Sequence, residues 1–525
     1  MAAAVPRTSL RARWALLLLV LGYLALALVA GVTPSPIAPP SPKGLAGDAG
    51  FASWAVRGAR LLRFDRLGRS AQTVLAIALL AVLLALFAIL AVEAWRGRVR
   101  VGPAVATAAL GLILAASAPL MLSRDVYSYA AYGRMVALHG ANPYRDRPSS
   151  FPGDPFTPVL SQEWIDTPSV YGPGFTLVSA GIASIARGSP AATVLSFKLL
   201  AGLSAFVATL LAVLACRLIR PARAALAAVA VGLNPVVVVY AVGGGHNDAL
   251  VMAVLTSGLC LALLSLRDPT GTEGPAGWAA VGATALLTLA GLLKLPAAIP
   301  LMVWICSLVR SAPASQRLWR GVLHVGLAVS VAAVVSAPLF AGARTVNLGT
   351  LSNVEGWASG ARLVGRGAEA LGRAAVGSTL ATGARRAVIA AFLIAFAVAW
   401  WRILRRARPE GSADAWGSSL LLFALASPYL LPWYAAWFLP FLPLLADAGL
   451  TWIGLAAAGL LAVTGVPAEP AFDPGLWRGM ILAVHYVVAP GMLALFVAAM
   501  SRVFRTPSDR DGLTISPPLA AGQPA

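Results

Sequence analysis

Charge is what this chain of 525 residues has least of. Only 11% of its residues are charged, against roughly 25% in an ordinary soluble domain, while 59% are apolar and the mean hydropathy is +0.80. So few charges cannot wet the surface of a water-soluble fold, which excludes a soluble enzyme and a disordered regulator. Cysteine is almost missing too. Cys216, Cys260 and Cys306 stand far apart inside apolar segments with no CxxC, so a disulfide scaffold, redox chemistry and a zinc site are without support. Lysine is scarcer than the net charge of +20 suggests: there are three, Lys43, Lys198 and Lys294, beside 37 arginines. Most of those arginines sit in short links between apolar runs, the pattern of cytoplasmic loops under the positive-inside rule and not of a nucleic-acid surface. Internal repeats are absent as well, which speaks against a transporter or lipid flippase built from matching half-domains with broken helices.

What is present is a series of apolar runs. A bilayer core needs about 20 apolar residues per helix, and candidate spans fall at 15–33, 73–95, 101–122, 190–215, 225–242, 248–266, 277–293, 294–310, 321–340, 387–404, 416–430, 434–447, 450–465 and 479–501. The expectation is an all-α polytopic membrane protein with about 13–14 transmembrane helices. The first run follows Arg7, Arg11 and Arg13 in the manner of a signal sequence. The TPSPIAPPSP stretch after it has no clean small-residue cleavage site, so the run is read as an anchor.

Orientation follows from arginine. With the N-terminus inside, Arg96, Arg98 and Arg100 fall inside and 123–172 falls outside. If the apolar run 173–187 crossed, Arg217, Arg220, Arg223 and the WRILRRAR cluster at 401–408 would land outside. If it dips and returns, they lie in the cytoplasm, as the positive-inside rule asks. The run is therefore expected to be juxtamembrane or re-entrant, and the chain divides into N-terminal anchor spans (1–122), an outer loop with juxtamembrane helices (123–189), a transmembrane core (190–341), an outer loop (342–386), C-terminal spans (387–502) and a cytoplasmic tail (503–525).

This topology gathers the unusual polar residues on one face. Asp125 stands just past a span, in SRDVYSYAAYGRM, where a carboxylate serves as a helix cap or as a reactive base. Tyr127, Tyr129 and Tyr132 follow at helical spacing and read as interfacial anchors. Asp146, Asp154, Glu163 and Asp166 read mostly as solvated loop charges. Asp166 is nonetheless a secondary site candidate, because Asp166–Pro173 carries two prolines and a glycine that fix its path back to the membrane. In GGGHND, three glycines allow close backbone approach to a ligand. His246, Asn247 and Asp248 follow directly, as ligand or phosphate contacts, with Asp248 alternatively a helix cap and a divalent metal left open. Lys294, between two apolar runs, either snorkels or holds a lipid phosphate. Trp433 and Trp437, in SPYLLPWYAAWFLP, are belt residues or the stacking wall of a sugar site.

The ordered set D-V-Y-x-Y, N-P-Y, T-P-x-x-Y-G-P, G-G-x-H-N-D, K-L-P and S-P-x-x-x-P-W-Y, spread over about residues 100 to 500, resembles the actinobacterial polyprenyl-phosphate-mannose-dependent α-(1→6)-mannosyltransferases of the glycosyltransferase C superfamily. The chain departs at its start, where two spans precede the helix leading into the catalytic loop. The resemblance implies a glycosyltransferase C-like bundle, a polyprenyl-phosphate-mannose donor, a growing lipid-linked mannan as acceptor and an active site on the outer face of the plasma membrane. It implies Asp125 as catalytic base, with Lys294 the best intramembrane candidate for holding the donor phosphate. From the residues themselves, His246 and Asn247 are added about that phosphate, and Asp248, Asp166, Tyr171, Trp433 and Tyr434 about sugar and acceptor. No cofactor, and no nucleotide-binding fold, is then called for. A pentosyl- or glucosyltransferase using another polyprenyl sugar stays open beside it.

Overall fold

The computed structural model describes residues 8–42, 45, 50–266, 277–340, 356, 358–376, 378–464 and 474–505. The tail expected at 503–525 lies outside the described residues from 506 on, as does 342–355 of the expected outer loop. Apart from short turns, the chain runs through α1 (Leu10–Ala30), α2 (Ser53–Leu61), α3 (Arg69–Trp95), α4 (Val101–Ser117), α5 (Asp125–His139), α6 (Pro173–Ile185), α7 (Pro190–Ile219), α8 (Pro221–Val242), α9 (Asp248–Leu264), α10 (Trp278–Leu293), α11 (Leu295–Ser311), α12 (Arg317–Phe340), α13 (Gly360–Val376), α14 (Ser378–Arg406), α15 (Ser412–Ala426), α16 (Ala448–Val463) and α17 (Gly475–Phe504). Among the described residues there is no strand. Among the described residues, seven helices (α1, α3, α7, α8, α12, α14 and α17) are long and apolar enough to cross a membrane, and six more are shorter apolar helices. The protein is an all-α polytopic membrane protein.

Helix α8 is the hub, with its whole apolar window buried. Its ladder is widened at Ala228–Gly232 and Val236–Val242 around Asn234-Pro235, where proline supplies no N–H. Asn234 repairs the break with its own amide, accepting from Val236 N–H at 3.0 Å and donating to the Ala230 carbonyl at 3.2 Å. Lipid tails offer no hydrophobic drive between helices, so close packing of small residues carries association. Gly202 of α7 lies against Ala116 of α4, and Gly258 of α9 against Leu287 of α10, each leaving 3.3 Å for a Cβ.

Helix length sets the depth of the site. Four helices that end or begin around Asp125 are short: α4 and α9 have 17 residues, α10 has 16 and α15 has 15, or about 22–26 Å at 1.5 Å per residue. Helices α3, α7 and α14 have 27, 30 and 29 residues, about 40–45 Å long. The short helices meet at the Asp125 floor, and α7 runs past it, since the lysine that ties it there, Lys198, lies eight residues in from Pro190.

Helix α6 is tied down at both ends. Gly172, just before it, packs on the carbonyl of Leu292 beside Lys294. Just after it, the Gly188 carbonyl accepts from Arg134 of α5 at 3.2 Å. Helix α7 then comes back to the floor at Lys198, whose ammonium bonds the Ala118 and Pro119 carbonyls at 2.7 and 2.8 Å. With 13 residues, α6 is about 20 Å long, short of a hydrocarbon core of about 30 Å.

Several sequence expectations change. The run 434–447 is not a span. After α15 the chain makes two buried 3₁₀ turns, Pro432–Trp437 and Leu439–Leu444, because Pro432, Pro440 and Pro443 withhold the N–H groups that a regular helix needs. The loop expected through 386 holds α13 and the first turns of α14, where alanine-rich sequence with arginines at three- to four-residue spacing favours helix. Tyr127, Tyr129 and Tyr132 are buried and do not anchor at an interface; they pack inside the protein, Tyr129 edge-on to Tyr171 and Phe175. Asp154 is not a solvated charge either. It is buried and holds Arg134 at 2.7 Å, since a guanidinium inside the fold needs a carboxylate.

Candidate active site

Three chain crossings build the floor. Asp125 opens α5 after Ser123, whose hydroxyl accepts the Asp125 N–H at 3.1 Å. The turn Gly243–Asn247 joins α8 to α9, and the proline-broken stretch 427–437 closes over both. Lys198 ties the first two together: besides Ala118 and Pro119 it bonds the Gly243 carbonyl at 3.1 Å, which also accepts from Met121 N–H at 3.1 Å. Gly245 has φ +64°, a left-handed conformation natural to glycine, and a Cβ there would come within 2.6 Å of Val126. The glycine turn therefore presses directly on the first turn of α5, and sets His246 beside Asp125.

His246 Nδ1 lies 3.5 Å from Asp125 Oδ2 and 3.4 Å from the Tyr129 hydroxyl. The imidazole is wholly buried and stacks on Trp433, ring centres 3.6 Å apart and planes within 16°. Tyr129 donates its hydroxyl proton to Asn247 Oδ1 at 3.3 Å. His246 Nε2 and Asn247 Nδ2 are buried with no hydrogen-bond partner among the described residues, an uncommon state for buried polar groups. A quarter of the Asp125 side chain reaches solvent. Its carboxyl is pushed up from 3.8 to about 6: burial is the first cause, opposed by the Lys294 charge and reinforced by the Asp248 charge.

Asp248 and Lys294 form the second half. The ammonium lies 2.7 and 2.8 Å from the two Asp248 oxygens, and Trp437 Nε1 donates to Oδ1 at 2.6 Å. Lys294 also sits over the Tyr434 ring, 4.4 Å from its centre, and Tyr434 stacks on Trp437 at 4.2 Å.

The helix-cap readings of both carboxylates are thereby overturned. Asp125 and Asp248 each occupy the first helical position, and each carboxylate is turned to side chains of the site, Asp125 to His246 and Asp248 to Lys294 and Trp437. Lys294 does not snorkel, being only 16% exposed and fixed by Asp248. His246, expected among phosphate contacts, turns Nδ1 to Asp125 and sets Nε2 and Cδ2 against Gly244, 2.8 Å from where a Cβ would stand. Asp248, expected to touch sugar, has no exposed side-chain surface. Tyr171 and Tyr434 line the same region half-buried, and Trp433 and Trp437 are buried, so they are not belt residues. Asp166 stands apart: it is 66% exposed and lies 3.9 Å from Arg147, with no contact to Asp125 or Lys294 among the described residues. Sequence reasoning missed Lys198 as the fastener of the floor, though a lone lysine inside an apolar run was signal enough. Among the described residues no group of three His, Cys, Asp or Glu side chains is placed to hold a metal ion.

A family profile described as "Alpha-(1→6)-mannopyranosyltransferase, N-terminal domain" matches residues 41–310, which hold Asp125, His246, Asn247, Asp248 and Lys294. Alpha-(1→6)-mannopyranosyltransferase A of Mycobacterium tuberculosis is 29% identical over 458 residues, covering 81% of each chain. A probable alpha-(1→6)-mannopyranosyltransferase of Mycolicibacterium smegmatis is 29% identical, covering 61% of each. Alpha-(1→6)-mannopyranosyltransferase B of Corynebacterium glutamicum is 28% identical, covering 61% of this chain and 56% of its own. No solved structure matches this chain.

Proposed function

This chain belongs to the alpha-(1→6)-mannopyranosyltransferase family, and from that premise we propose that it moves mannose from polyprenyl-phosphate-mannose to a hydroxyl of a growing lipid-linked α-(1→6)-mannan, on the outer face of the plasma membrane. The observation that carries this reading is the quarter-exposed Asp125 carboxyl, held near pKa 6 beside His246 on a floor formed by short helices. A general base works best with a pKa near the operating pH. A floor sunk below the end of α7 suits a donor whose phosphate rides at the membrane surface on a lipid tail.

The reaction is one inverting displacement. The acceptor oxygen bonds to the anomeric carbon, its proton passes to Asp125, and the bond from that carbon to the phosphate oxygen breaks. The polyprenyl phosphate leaves with that electron pair. The transition state is oxocarbenium-like, and charge grows on the leaving phosphate. Lys294, locked in position by Asp248, and the unpartnered amide of Asn247 offer fixed donors to that charge. His246, through Nδ1, orients the Asp125 carboxylate. Tyr171 and Tyr434 present aromatic surface to sugar, with Trp433 backing His246, and Asp166 at the rim is left for the acceptor.

Radiolabel transfer decides it. Membranes holding the protein should move label from polyprenyl-phosphate-mannose to defined α-(1→6)-oligomannosides. Movement of the lipid-linked sugar across vesicles without transfer would instead make the protein a flippase.

A further inference from the structure

At the end of the bundle away from Asp125 lies a cavity of about 490 Å³ between α14, α15, α16 and α17. It is far from the catalytic floor: Asp414 on its wall and Ala426 at the floor are twelve residues apart on α15, about 18 Å. Its lining carries Arg402, Arg406 and Arg408 together with the apolar Ile403, Leu450 and Val503. Three carboxylates are also present, and two are already engaged. Asp447 caps α16 through Gly449 and Leu450 N–H and pairs with Arg502 at 2.9 Å. Asp414 accepts from Ala446 N–H at 2.7 Å. Asp447 is neutralised by Arg502, and Asp414 keeps its charge, so Asp414 and exposed Glu410 are left to oppose three guanidiniums. Arg402 Nε is buried without a hydrogen-bond partner, and among the described residues no side chain pairs with Arg406 or Arg408.

We propose that this cavity is a binding site for the phosphate of an anionic phospholipid headgroup, separate from the donor site. Guanidinium forks match phosphate oxygens in pairs. Basic pockets between transmembrane helices are where such headgroups bind, and the apolar lining of Ile403, Leu450 and Val503 fits the glycerol and first acyl carbons. The volume falls within the usual range of ligand sites, about 300–1,000 Å³. A soluble phosphate would use the same arginines but not the apolar lining.

The test is lipid retention by the full-length protein in native mass spectrometry. It is titrated with phosphatidylglycerol or phosphatidylcholine, with inorganic phosphate as a separate arm. The parent should retain one phosphatidylglycerol at least about 10-fold more tightly than phosphatidylcholine. Arg402→Gln/Arg406→Gln should lose that preference; Arg406→Gln alone, at an exposed position, should weaken it; Arg405→Gln, outside the lining, should keep it. Inorganic phosphate that displaces phosphatidylglycerol from the parent only at large excess fits a lipid site. Phosphate binding lost in the double variant without any lipid preference overturns the lipid assignment in favour of a soluble anion. Equal retention of both lipids, or equal retention by the parent and Arg406→Gln, overturns the site altogether.

Discussion

Lys294 grips both oxygens of Asp248, at 2.7 and 2.8 Å, and the carboxylate it grips is wholly buried. Removing one member of such a pair leaves the other charge stranded, at a cost of about 3–5 kcal/mol. Lys294→Met should therefore insert poorly, and its loss of activity would say little about phosphate binding. The informative variant is Lys294→Met/Asp248→Asn, which removes both charges and keeps an oxygen for Trp437. We expect it to be close to the parent in detergent stability and yet to lose sugarless polyprenyl phosphate by about 10-fold or more. Parent-like binding of that lipid would show that the pair only holds the floor together.

Asp125→Asn should fold, because the carboxylate caps no helix, and should transfer about 10²-fold more slowly. With the carboxyl pushed up to about 6, the parent's rate should rise as pH passes through 6 and level off above it, since only the ionised form accepts the proton. Stability moves the other way. The folded pKa exceeds the ordinary 3.8, so the folded state favours the neutral carboxyl; that contribution is full below 3.8 and lost as pH rises past about 6. Asp125→Asn should flatten this dependence. An unchanged pH–rate limb in a slow but active Asp125→Asn enzyme would rule out this carboxyl as its source.

Which parts of this were legible beforehand follows from what local sequence encodes. Apolar runs, glycine clusters and prolines act locally, so the helical class, the GGGHND turn and the broken stretch 427–437 were readable. Partnership across the fold was not. Nothing near Lys294 in sequence says that Asp248, 46 residues away, will neutralise it, and nothing near Asp154 announces Arg134. Tyr129 looked like an interfacial anchor because burial against Phe175 and Phe197 depends on α6 and α7 folding back over α5. The split between one span and two turns at 434–447 was written in Pro440 and Pro443, but hydropathy alone smoothed over them.

The placement of α6 makes a parity prediction. Between Gln162 and Gln316 run α7, α8, α9, α10 and α11, an odd number of crossings, so the two exposed residues should lie on opposite sides if α6 does not cross. In a background lacking Cys216, Cys260 and Cys306, Gln162→Cys should react with an impermeant thiol reagent on intact cells. Gln316→Cys should react only after lysis. Labelling of both on intact cells would make α6 a true span and reverse the face assigned to every downstream residue.

Lys198 is the remaining lysine that the structure describes inside the bundle, and its function is read from its three acceptors: Ala118, Pro119 and Gly243. Those carbonyls belong to the end of α4 and to the glycine turn, where Ala118 and Gly243 are buried and Pro119 is half-buried. Lys198→Met fills much the same volume but leaves each oxygen without the ammonium, at about 1–3 kcal/mol for each group left unpaired; Gly243 alone keeps the Met121 N–H as a donor. It also removes a buried charge, which offsets part of that loss. The net effect should be a lower unfolding midpoint together with a rise in the donor's KM, because the turn that sets His246 against Asp125 is no longer tied to α4. Lys198→Arg should not rescue it: the position is fully buried, and a planar fork cannot reach three carbonyls that converge on one nitrogen. If Lys198→Met matches the parent in both midpoint and KM, the lysine is a tolerated passenger and the floor is held by packing alone.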